Sequence, residues 1–138
     1  MSVMKGLDDF TEGFIDAMFF TESAQGDPDG NIPDDLGYND IAPSLLAKIK
    51  ADCNTFQSEN SEHIARDNCH YRKCSEDTYA GHDFWLTRNG HGCGFWDGDW
   101  TEPAATALTT SAKGYGELSV YVGDDKLIYA MGFEDFKG

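Results

Sequence analysis

Positive charge is what this sequence has least of. Ten Lys and Arg stand against 25 Asp and Glu in 138 residues, a formal net charge of −15. A field of that sign repels nucleic-acid phosphates and anionic membrane surfaces, which argues against direct binding to either. It admits basic protein surfaces, cations, or solvent alone. Long apolar runs are missing as well. No segment approaches the roughly 18 residues that a spanning helix needs. The first twenty residues carry acids within their apolar run and no basic start, so a signal peptide is not expected. The chain is expected to stay in the cytoplasm where it is made. Cysteine is limited to four residues, which in that compartment read as reduced thiols rather than a disulfide framework. Internal repeats and low-complexity tracts are absent.

What is present argues for one folded domain over 1–138. The hydrophobic fraction is 40% and the aromatic fraction 13%, too high for a disordered chain. Residues 1–39 read as an acidic helix plus loop, with the helix over Asp8 to Phe20. Residues 40–80 read as helical. Pro43 there suits a first turn, and Leu45, Leu46, Ile49, Cys53 and Phe56 form an apolar stripe from about Ala42 to Glu59. Residues 81–131 read as a ββαββ core. Its helix is opened by Pro103 and ended by Gly114 and Gly116, and its last hairpin pairs Leu118–Val122 with Leu127–Met131 across Gly123-Asp124-Asp125. The expected fold is α+β, with N-terminal helices packed on a four-stranded, mainly antiparallel sheet of two hairpins joined by a helix (α-α-ββ-α-ββ).

The first of those hairpins is expected over Gly81 to Asp97. Asn89-Gly90 between aromatic-rich arms suits a two-residue turn in which both central residues need positive φ. That register pairs Phe84 with Phe95 and Leu86 with Cys93 on the core face. It sets His82 opposite Asp97 as a structural clamp, and puts Trp85 over Gly94 on the other face beside Trp96. If a helix covers that second face, it is a further layer of core. If none does, Trp85, Trp96 and nearby Trp100 form a binding surface.

Chemistry-bearing residues cluster weakly. Cys69 and Cys74 with His63 or His70 offer a soft tetrahedral zinc set, but Cys-x4-Cys without a second pair lies outside the well-known zinc spacings. Cys93 with His82 or His91 is a nucleophile pair on paper, weakened by the core-facing register of Cys93. Asp27, Asp29 and Asn31 begin like a calcium loop, but Ile32 and Tyr38 stand where its glycine and glutamate belong. No cofactor is implied.

The run Gly81-His82-Asp83-Phe84-Trp85-Leu86-Thr87-Arg88-Asn89-Gly90-His91-Gly92, continued by Gly94-Phe95-Trp96-Asp97, resembles a motif of small acidic proteins encoded by tailed bacteriophages and prophages. Asp40-Ile41-Ala42-Pro43 and Tyr121-Val122-Gly123-Asp124-Asp125 are similar to other segments of that family. The resemblance implies a phage source and the cytoplasm of a host bacterium, and carries no activity or metal. The expected function is a non-enzymatic accessory protein that binds the basic surface of a host protein. Its mode would be DNA-like charge mimicry of a nucleic-acid-binding host or defence factor. The candidate partner-binding residues are Asp8, Asp9, Glu12, Asp16, Asp27, Asp29, Asp34, Asp35 and the three tryptophans. A metal-binding or hydrolytic protein is the alternative, and a minor structural protein of the virion a further one.

Overall fold

The computed structural model describes residues 7–22, 32–33, 35–71, 73–90, 94–96 and 98–131. Four helices, α1 (Asp9–Glu22), α2 (Pro43–Glu59), α3 (Glu76–Arg88) and α4 (Ala104–Lys113), pack with one antiparallel hairpin of β1 (Ser119–Val122) and β2 (Ile128–Met131). Short 3-10 turns lie at Tyr38–Asp40 and Arg66–Asn68. Helices α1, α2 and α4 and the last hairpin fall where the sequence periodicity puts them.

The four-stranded sheet does not form. Residues expected as the first arm of a hairpin are α3, and among the described residues the sheet has two strands. The physical reason is a face that only a helix can make. Ala80, Gly81, Phe84, Trp85 and Arg88 are all buried, at offsets of 0, 1, 4, 5 and 8. A strand would send Phe84 and Trp85 to opposite faces, whereas a helix sends both inward. Ser75 caps the start, its hydroxyl accepting from the Thr78 amide at 3.1 Å, and Glu76 and Asp77 occupy the first turn. Asn89 and Gly90 end it. Gly90 takes φ of +70°, the left-handed conformation that closes a helix as readily as it makes a hairpin turn. Asn89 turns its side chain back to the Trp85 carbonyl and accepts from the Leu118 amide at 2.9 Å, tying α3 to the chain entering β1.

Helices α1 and α3 run parallel with their backbones in contact. Asp9 meets Ser75 at one end, and the Trp85 indole donates to Thr21 Oγ1 at 2.7 Å near the other. Between them a Cβ on Gly13 would stand 2.2 Å from the Thr78 carbonyl oxygen, and one on Gly81 would stand 2.0 Å from that of Phe10. Glycine at both positions is what lets the helices close. The aromatic core collects around that contact. Phe56 of α2 stacks on Phe84 at 4.2 Å, Phe14 meets Trp85 edge-on at 5.5 Å, and Phe95 stacks on Phe56 at 5.8 Å.

The β1–β2 hairpin turns through Asp124, Asp125 and Lys126, with the Gly123 amide bonded to the Leu127 carbonyl. Lys126 has φ of +68°, the position that glycine usually takes after a type I turn. Lys126→Gly is therefore expected to stabilise the fold. Relief of left-handed strain exceeds the added unfolded-chain entropy by roughly 0.5 kcal/mol, readable in urea melts. Among the described residues no helix is long and apolar enough to cross a membrane.

Candidate functional site

The carboxylates that the sequence singled out divide by role. Asp8 is the N-cap of α1: the Thr11 amide donates to Oδ1 at 2.9 Å, and Gln57 donates to Oδ2 at 3.1 Å. Partial burial pushes its carboxyl up, but these hydrogen bonds outweigh that and hold it below the usual range. Asp16 lies beside His82 on α3. Burial raises the Asp16 carboxyl and lowers the His82 imidazole, and each charge partly offsets the shift of the other. Asp9 is exposed and Glu12 half-buried on α1, and Asp35 is exposed in the loop before Tyr38. Asp27, Asp29 and Asp34 lie outside the described residues.

The parallel packing of α1 and α3 adds two acids that the sequence reading missed. It brings the N-termini of both helices side by side, where two positive dipole ends would repel unless anions balance them. Asp8, Asp9, Glu76 and Asp77 meet there. Burial first, and then the charges of Glu76, Asp9 and Asp8, raise the Asp77 carboxyl. Arg66 comes within 3.8 Å of Glu76 at the margin. A folded-state pKa above the ordinary value of 3.8 means that ionised Asp77 costs stability at neutral pH, a cost that disappears as pH falls through that raised value. Asp77→Asn is expected to melt at a higher temperature than the parent at neutral pH. The advantage should vanish in acid, where both side chains are uncharged.

The tryptophans are mostly core. Trp85 is fully buried and Trp100 is 3% exposed, its indole donating to Asp83 Oδ2 at 2.8 Å. Trp96, at 46% exposed, stays available to a partner. The clamp pairing His82 with Asp97 loses its basis with the hairpin, since His82 is on α3 facing Asp16, and Asp97 lies outside the described residues. Asn89 and Gly90 keep a structural role as the end of α3 in place of a hairpin turn.

The weak metal set is not brought together. Cys69 and His70 are neighbours in an extended segment that pairs with Asp99–Thr101, which buries Cys69 and exposes His70. His63 sits by Glu62 at 3.5 Å, and half-buried Cys74 lies near Asp83, whose charge adds to burial in raising the thiol. Among the described residues no three His, Cys, Asp or Glu gather as a metal set. His91 and Cys93 lie outside the described residues. Cys53 is in the core, and burial drives its thiol well above the ordinary range.

Two grooves lined by described residues are small. One of about 150 Å³ is bordered by Asp8, Thr11, Lys50 and Asn54, and one of about 120 Å³ by Gln57, Ser61, Ile64 and Asp77. Both flank the acidic end, and both fall short of the ~300 Å³ at which small-molecule sites begin. No family model, curated protein or solved structure matches the chain.

The sequence reading also missed the charged centre of the core. Arg88 has a fully buried side chain, donating from Nη1 to Asp52 Oδ2 at 3.1 Å, from Nε to the Gly116 carbonyl at 2.8 Å and from Nη2 to the Tyr115 carbonyl at 3.1 Å. Its guanidinium lies 5.1 Å over the Phe84 ring and 5.5 Å over that of Tyr115. Lys48 bonds the other oxygen of Asp52 at 2.9 Å. This network joins α2, α3 and the turn after α4. It is sealed from solvent and serves the fold.

Proposed function

We propose that this is a non-enzymatic binding protein whose acidic face, centred where α1 and α3 begin, docks on the basic surface of another protein. The observation that carries the reading is the excess of carboxylate at that end. Asp8, Asp9, Glu76 and Asp77 converge there, and burial first, then the charges of Glu76, Asp9 and Asp8, raise the Asp77 carboxyl. A net charge of −15 extends the same field and speeds encounter with a cationic surface. A phage source, action in the cytoplasm of a host bacterium, and occupation of a cleft that otherwise holds DNA are parts of this proposal, supported by the sequence resemblance and the sign of the field.

The test is capture from bacterial lysate by the immobilised protein at low and high salt, with and without added duplex DNA. Basic nucleic-acid-binding proteins are expected to be retained at low salt, released at high salt and displaced by DNA. Retention that DNA does not touch would remove the mimicry, and no salt-dependent retention would remove the reading altogether.

A further inference from the structure

The outer face of the β1–β2 hairpin carries an aromatic surface with an anionic rim. The register turns Val120, Ile128 and Ala130 inward, all buried, and Ser119, Tyr121, Tyr129 and Met131 outward. Tyr121 is 42% exposed and Met131 59%. Both lie on the one face of the strand pair that the core does not cover.

The surface is also held in shape. The Tyr121 and Tyr129 rings stack at 5.7 Å and 22°. The Tyr129 hydroxyl donates to Asp125 Oδ2 at 2.6 Å, while the Leu127 amide donates to Oδ1 at 3.0 Å. Those two bonds fix the carboxylate beside the ring pair and keep it ionised. Gly123 lets the Tyr129 ring lie against the turn, since a Cβ there would stand 2.9 Å from the ring. Asp124 and Glu117, both exposed, add charge of the same sign at the ends of β1, and Lys126 is the cation of the turn.

Charge decides the occupant. A second copy of this chain would bring another −15 to the same place, and an acidic or neutral apolar segment gains nothing from the rim. A guanidinium matches both halves. Its plane stacks on a tyrosine face, its edge bonds a carboxylate, and its weak hydration makes it cheaper to cover than an ammonium. We propose that the Tyr121–Tyr129 pair with Asp125 is a docking site for an arginine side chain on an exposed segment of a basic partner protein. This deepens the reading above, and rests on it for the nature of the partner.

The test is a titration of the full ¹⁵N-labelled chain with a short uncharged-backbone peptide of alternating glycine and arginine, and with its glutamine counterpart. Saturable amide shifts over residues 119–131 are expected with the arginine peptide and not with the glutamine one. Affinity should fall about tenfold or more in Tyr121→Ser and stay near the parent's in Tyr121→Phe. Asp125→Asn, which keeps one side-chain oxygen to accept from the Leu127 amide, should weaken the arginine peptide likewise should Tyr121→Ser fail to fold, with its own amide spectrum showing that the hairpin is formed. Equal shifts with glutamine, unchanged affinity at the hairpin in Tyr121→Ser or Asp125→Asn, or arginine shifts that leave residues 119–131 unmoved would each overturn the site, whereas added shifts at the acidic end belong to the reading above. The two readings fail separately. Salt-dependent capture with no arginine-peptide shifts over residues 119–131 removes this inference alone, and arginine binding at the hairpin without salt-dependent capture removes the functional reading alone.

Discussion

Arg88→Met is expected to destabilise the protein by about 3–5 kcal/mol, read as a lowered midpoint in urea with two-state fits. Three acceptors depend on that side chain, namely Asp52 and the carbonyls of Tyr115 and Gly116. Methionine fills the volume between Phe14, Phe84 and Tyr115 but donates nothing. Lys48 still holds one oxygen of Asp52, but the second is left buried without a cation. Adding Asp52→Leu together with Lys48→Met should recover part of the loss, because the carboxylate and the ammonium paired with it are then both gone, while the two carbonyls stay unsatisfied. Arg88→Lys should recover little. A single ammonium cannot reach three acceptors arranged for the planar fork of arginine.

Gly81→Ala is the second large effect. The added methyl would meet the Phe10 carbonyl at 2.0 Å and the Phe14 amide nitrogen at 2.9 Å, both of them backbone, so no side chain can swing away. The helices must part. Separation disturbs Phe10, Phe14, Phe84 and Trp85 together, putting the cost at or above the ~3 kcal/mol upper end of ordinary overpacking. That corresponds to a loss of roughly 10 °C in Tm for a domain of this size. The gain in helix propensity from Gly to Ala, ~1 kcal/mol, is too small to offset it. Gly37→Ala makes a fair control, since nothing stands within 4 Å of a Cβ there.

How far the sequence could be read depends on how many structures a given stretch satisfies. The stripe of Leu45, Ile49, Cys53 and Phe56 fits a helix and nothing else, and α2 follows it. The alternation of Leu118, Val120 and Val122 beyond Gly116 similarly fits only a strand. Residues 81–97 satisfy two templates. Asn89-Gly90 provides positive φ for a hairpin or for the end of a helix, and aromatic density suits a core strand or a core helix equally. The cues that break the tie lie upstream, in the Ser75 cap and the acids at Glu76 and Asp77, and in the helical spacing of Ala80, Gly81, Phe84, Trp85 and Arg88. Buried charge also leaves a trace. Asp52 interrupts the apolar stripe of α2, and Asp83 and Arg88 fall among the buried residues of α3, so each is a charge on a face bound for the core. The acidic end was half legible. Asp8 and Asp9 stand out in a sequence dense with acid, but their meeting with Glu76 and Asp77 depends on helices more than fifty residues apart running parallel through Gly13 and Gly81.

The most direct measurement is a paired one on the variant Asp9→Asn, Glu76→Gln, Asp77→Asn, which leaves the Asp8 cap in place. Its melting temperature and its low-salt capture of basic proteins are read on the same preparation. If the acidic end is kept for binding, the variant folds with stability equal to or above that of the parent and loses most of the salt-dependent capture. A clear drop in melting temperature with capture unchanged would contradict this, and would make those carboxylates helix-terminus charges and nothing more.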